Sequence, residues 1–110
     1  MKTTVNRRSA TSVLSAPVVI GRQVLGHVSE LVLDPELERL VGYEVELASG
    51  TRRFLPTGVA SAGPVGIEVA SPLHLVEPDY YRRNGIALAD APDEERLDID
   101  LDSGDVIRPG

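Results

Sequence analysis

The chain has 110 residues, 11 Lys+Arg against 17 Asp+Glu for a net charge of −6, and 42% hydrophobic residues; Phe54, Tyr43, Tyr80 and Tyr81 are its aromatics, and it has no Cys and no Trp. This length implies one domain. Without Cys there is no disulfide framework, thiol catalysis or thiolate metal site, and the acidic balance argues against a DNA- or RNA-binding electrostatic footprint. The longest apolar run, 16–20, is far too short to span a bilayer, and the first eight residues lack the apolar stretch of a secretory signal. The expected setting is cytoplasmic, with no membrane span.

The charge is unevenly placed. Through Ala89 there are nine acids and nine bases. From Asp90 onward there are eight acids (Asp90, Asp93, Glu94, Glu95, Asp98, Asp100, Asp102 and Asp105) against Arg96 and Arg108, and 2 − 8 = −6 is the whole excess. A neutral body therefore carries an acidic C-terminal segment, which reads as a solvated tail or an arm that docks on something basic.

In chain order, residues 1–12 are polar and read as a flexible N-terminus. Residues 13–20 are apolar but contain Pro17, which removes a ladder donor and points to an edge or interrupted strand. Residues 22–25, bracketed by Gly21 and Gly26, read as a very short strand or a turn. Residues 27–33 are strand-like with imperfect alternation. Val28 and Val32 share one face and Leu31 and Leu33 the other, as in a strand buried on both sides or carrying a bulge. A proline turn follows at Asp34-Pro35-Glu36-Leu37-Glu38-Arg39. Residues 40–47 alternate strictly: Val41, Tyr43, Val45 and Leu47 face one way, and Gly42, Glu44 and Glu46 the other, which predicts a half-buried strand. Ser49-Gly50 turns the chain, and 51–55 returns to form a hairpin. Residues 56–63 read as a small-residue loop or single helical turn. Val65, Ile67 and Val69 alternate as a further strand, and 73–76 reads as a short strand or 3₁₀ segment. Residues 79–88 read as a linker with Tyr80 and Tyr81 packed back on the body. Leu97, Ile99 and Leu101 alternate with Asp98, Asp100 and Asp102, and the turn Asp102-Ser103-Gly104-Asp105 leads to Val106-Ile107 as the second arm of a hairpin.

Many short strands cut by Gly and Pro predict an all-β fold. The specific expectation is a small antiparallel β-barrel of about six short strands over 13–78, closed because closure removes exposed edges, with the acidic extension over 79–110.

Three segments of the body follow one another at familiar spacings. Gly26-His27-Val28-Ser29-Glu30-Leu31-Val32-Leu33-Asp34-Pro35 resembles the signature G-x-V-x-D/E, three hydrophobic residues, then D-P, of PRC-barrel domains. Arg39-Leu40-Val41-Gly42-Tyr43-Glu44-Val45 resembles the strand that follows in that family, and Arg53-Phe54-Leu55-Pro56 its segment before the next loop. The resemblance spans about 13–76. Each piece also has a physical reading: Gly26 permits a tight turn or close backbone approach, Asp34-Pro35 starts a turn, and Pro56 ends a strand. Glu38 stands where many members carry glycine, and a positive φ there would strain it. The family includes the cytoplasmic domain of the photosynthetic reaction-centre H subunit and the C-terminal domain of the ribosome-maturation factor RimM. The resemblance implies a non-catalytic assembly or binding module and supplies no catalytic residues.

His27 and His74 lie on different segments with no ligand spacing, and there is no G-x-S-x-G elbow for a serine triad. Asp98-x-Asp100-x-Asp102 fails as a calcium loop because Ser103 and Pro109 occupy the positions that need Gly and Glu. Arg7-Arg8, Arg52-Arg53 and Arg82-Arg83 are basic pairs that could meet phosphate only if they shared a face. No glycine-rich phosphate loop is present, so no metal or cofactor is expected. The expected function is an interaction module that binds a protein partner or a second copy as a homodimer. Leu97, Ile99, Leu101, Tyr80 and Tyr81 are the candidate contact residues, through burial or strand pairing. The alternative is a ribosome-maturation factor that binds ribosomal protein or RNA.

Overall fold

A computed structural model describes residues 7–108. Extended segments are cut by Gly and Pro before any reaches helical length, so the chain is mostly strand. In order these are β1 (Arg7–Ser9), β2 (Pro17–Ile20), β3 (Gln23–Leu33), β4 (Leu40–Leu47), β5 (Arg52–Pro56), β6 (Ala60–Ala62), β7 (Ile67–Val69), β8 (Ile86–Ala87), β9 (Asp98–Asp100) and β10 (Val106–Ile107). One short helix, α1 (Asp79–Asn84), and several 3₁₀ turns lie between them. The β-rich expectation holds.

The main sheet runs β5-β4-β3-β2-β7-β6, with β8 pairing β3 off this path. It curls into a half-barrel. Two details differ from a closed antiparallel barrel. Among the described residues β5 and β6 end the path without pairing each other, and β2–β7 is parallel. Between β5 and β7 the chain spends its length on a 3₁₀ turn, three residues of β6 and the Gly63-Pro64 stop, too little strand to reach back to β5. The open side of β5 is instead met by Val76: Phe54 N–H donates to Val76 O (2.7 Å) and Val76 N–H to Phe54 O (2.8 Å).

Of residues 22–25, Arg22 lies in a turn and 23–25 belong to β3, which is one continuous strand of 11 residues. Its register shifts between Val28 and Glu30 and again between Val32 and Leu33. These irregularities explain the imperfect alternation, because Val28, Leu31 and Leu33 all reach the same core while Val32 does not. Gly26 sits where a Cβ would strike the Glu46 carbonyl, so close strand approach is its role. In the 34–39 turn, Asp34 Oδ1 accepts from the Glu38 and Arg39 N–H groups (2.7 and 3.0 Å). The left-handed residue of that turn is Leu37 (φ 59°), so Glu38 escapes the strain anticipated for it.

A second sheet, ordered β1-β9-β10 and antiparallel throughout, covers one end. It contains the anticipated acidic hairpin. Its seam to the main sheet is backbone: Leu40 N–H donates to Gly104 O (2.7 Å) and Val106 N–H to Glu38 O (2.8 Å). One hydrophobic cluster spans both sheets, from Val18, Leu31, Tyr43 and Leu55 to Leu88, Leu97, Ile99 and Leu101. The radius of gyration, 13.2 Å, is that of a single packed unit of this length.

Two expectations are corrected here. The flexible N-terminus fails from Arg7 onward: β1 pairs β9, Ala10 and Val13 are buried, and Ala10 N–H donates to Leu97 O (2.8 Å). Positions 1–6 lie outside the described residues. The linker over 79–88 is in fact α1, β8 and the start of a 3₁₀ turn, and β8 pairs with Val32 and Leu33 of β3. Polar sequence concealed both segments because each contributes only one or two buried apolar side chains.

Ile99 is fully buried, so Ile99→Ala is expected to destabilise the protein by about 2–5 kcal/mol in urea unfolding, through lost transfer energy and a cavity. Burial pushes the Tyr43 phenol from 10.0 up to about 12, with the charge of Arg8 acting in the opposite sense. A neutral phenol is thus favoured in the fold, and stability is present below pH 10 and lost as pH rises towards 12. Between pH 9 and 11 the wild type should lose about 1 kcal/mol that Tyr43→Phe does not lose.

Candidate functional site

Strand β4 has two dry faces, where the alternation predicts one. Its inner face carries Tyr43 and Val45 into the core. On the outer face, Glu30 of β3 lies opposite Glu44, Val32 opposite Gly42, and Phe54 of β5 opposite Glu44. Val32 and Phe54 are buried, yet neither belongs to the main core cluster. What packs against this outer face is α1.

Gly42 makes the docking possible. A Cβ there would run into the Phe54 ring and the Leu55 carbonyl, so the missing side chain leaves the ring its place over β4. Tyr81 of α1 then stacks on Phe54 with centroids 3.9 Å apart and planes 8° from parallel. Tyr80 meets Tyr81 edge-on at 5.2 Å and 85°. Such aromatic pairs contribute about 0.5–1.5 kcal/mol beyond their burial. At the end of α1, a Cβ on Gly85 would strike Val32, so glycine lets the chain pass close over β3.

Next to the stack, Glu44 is 3% exposed, a carboxylate that cannot stay ionised there without a partner. Arg82 provides one. Its Nε donates to Oε2 at 2.6 Å and its Nη2 to Oε1 at 2.8 Å, a two-bond fork. The hydrogen bond to Glu44 and then the charge of Glu44 raise Arg82 above its ordinary value, and Asp79 and Glu30 add in the same direction. Half of the Arg82 side chain remains in water. A cleft of about 620 Å³ opens beside the pair, its walls including Ser29, Glu30, Arg52, Arg82, Ile86 and Asp90. Its mixture of charge and apolar wall suits recognition of another chain or a polar ligand.

The sequence candidates divide. Leu97 (3% exposed), Ile99 (0%) and Leu101 (7%), in and beside β9, lie in this chain's own core, packed in the hydrophobic cluster that spans both sheets. They are not a surface for a partner in this arrangement. Tyr81 is half-buried on Phe54, and Tyr80 stays at the surface. His27 and His74 line different clefts, one beside Glu46 and the other beside Glu68. Among the described residues no group of three or more His, Asp or Glu is placed to hold a metal ion. The arginine pairs go to separate carboxylates: Arg7 to Asp98 (2.7 Å), Arg52 to Glu46 (3.9 Å), Arg53 to Glu77 (2.6 Å) and Arg82 to Glu44. Sequence reading missed the Glu44–Arg82 fork, whose partners are 38 residues apart. The available signal was Gly42 followed by Glu44 on the polar face of β4, which Glu46 shares.

Arg82→Met is expected to cost about 2 kcal/mol in chemical denaturation, the low end for stranding a buried charge because Arg82 itself is half in water. Glu44→Gln combined with Arg82→Met should cost less than Arg82→Met alone, since no charge is then left buried.

No helix among the described residues is long and apolar enough to cross a membrane. No protein-family model matches the chain, and no curated protein matches it.

Proposed function

We propose that this protein is a non-catalytic interaction module of PRC-barrel type, which binds a protein partner or a second copy through the ledge formed by α1 at the edge of β5. The observation that carries this reading is Tyr80. It is 62% exposed, yet it is held edge-on by Tyr81, which is itself fixed by stacking on Phe54. A large aromatic that is exposed but already immobilised loses little conformational freedom on binding, and Tyr is enriched where interfaces concentrate their energy. Val76, which pairs with Phe54, extends the ledge with a further exposed apolar side chain. The mostly-β curled sheet and the three family-like segments of sequence support the kinship.

The ribosome-maturation alternative follows from the resemblance to RimM, and an acidic arm would favour a basic ribosomal protein. It has less to draw on, because Asp98 and Asp105 already pair with Arg7 and Arg39.

Tyr80→Ala should leave stability within about 0.5 kcal/mol of wild type, as for an exposed site. Sedimentation of the purified protein and capture from native lysate at moderate salt test the function. Self-association, or binding of a captured partner, should weaken by about tenfold or more in affinity, the effect of truncating an interface anchor. Equal self-association and equal capture by both proteins would refute the ledge.

A further inference from the structure

Helix α1 occupies its place without being part of the core. It has six residues, none of them buried, and a helix of that length does not persist on its own in water. Two side chains hold it down, Tyr81 on Phe54 and Arg82 on Glu44, between Pro78 before the helix and Gly85 after it. Beneath it lie Phe54 and Val32, buried but outside the main cluster, around the Glu44 carboxylate. Lifted away, α1 would leave an apolar strip with the buried Glu44 carboxylate in it and Glu30 beside that carboxylate on the same face. The complement of that strip is an aromatic side chain followed by a basic one, and Tyr81-Arg82 is that pair, supplied by the chain itself.

We propose that α1 is a releasable cover lying on a docking groove of the β3–β4–β5 face, and that the groove's ligand in trans is a segment of another protein presenting an aromatic residue followed by arginine or lysine. The chemistry follows from what occupies the groove now. The ring stacks on Phe54 over Gly42, and the cation forms the fork with Glu44. A competing segment would repeat both contacts, and its affinity would be reduced by the fraction of molecules in which the cover is closed. This inference does not depend on the Tyr80 ledge, and its readouts involve no unidentified partner.

Two measurements test it. In hydrogen exchange on the wild-type chain, amides of 79–85 should exchange at least about tenfold faster than those of β4 and β9, as for a segment that opens locally. Exchange of 79–85 at the same rate as those strands would make α1 an integral part of the global unit and overturn the proposal. The second uses a fluorescent peptide with the sequence of residues 77–86. The full-chain variant Tyr81→Ala/Arg82→Ala should bind it at least about tenfold more tightly than wild type does, and adding Glu44→Gln to that variant should abolish the gain. Equal binding by wild type and variant, or a gain indifferent to Glu44→Gln, would overturn the groove. Should the variant fail to fold, the wild-type exchange comparison still decides whether the cover opens.

Discussion

The Glu44 carboxylate is taken out of water on the outer face of a central strand, and a guanidinium 38 residues downstream answers it. An unpaired carboxylate in that position would cost several kcal/mol or force protonation. The fork to Arg82 therefore constrains everything around it. It requires 79–84 to lie across β4, which requires Phe54 to offer Tyr81 a flat surface, which in turn requires Gly42 to have no side chain. One polar group buried on the wrong side of a strand thus accounts for the helix, the stack and the cleft beside them.

The same arrangement explains why a small, aromatic-poor chain can cover both faces of its sheet. Leu, Val and Ile from both sheets fill the inner face as one cluster. The outer face has too few apolar residues for a second core, and it is closed by two stacked rings and an ion pair. Attachments of that kind are weaker per residue than a packed core and depend on few side chains, so the cover is the part of the molecule best suited to move.

Several features were legible in the residues themselves. The strand over 40–47 is β4, although it is dry on both faces, Pro56 ends β5, and the interleaved Leu97, Ile99 and Leu101 form a hairpin arm with Val106 and Ile107. The slip at 28–33 is a pair of register shifts in β3. Where the reading went astray, the cause was long-range. Residues 7–9 look polar because β1 is held by backbone pairing to β9 and by the Arg7–Asp98 ion pair, neither of which leaves an apolar pattern in the sequence. The parallel β2–β7 pair has no local signature, since parallel neighbours are chosen by the path of the chain between them.

By itself the sequence determined the β-rich character, most strand positions, the turns and the placement of net charge, because alternation, proline and glycine act over a few residues at a time. Only the tertiary structure decided which faces are dry. It drew Leu97, Ile99 and Leu101 into the shared core and left Tyr80 outside it, and it set Arg82 on Glu44. Burial is a property of what packs against a residue, and here the covering elements come from 27 to 91 positions away, beyond the reach of any local pattern.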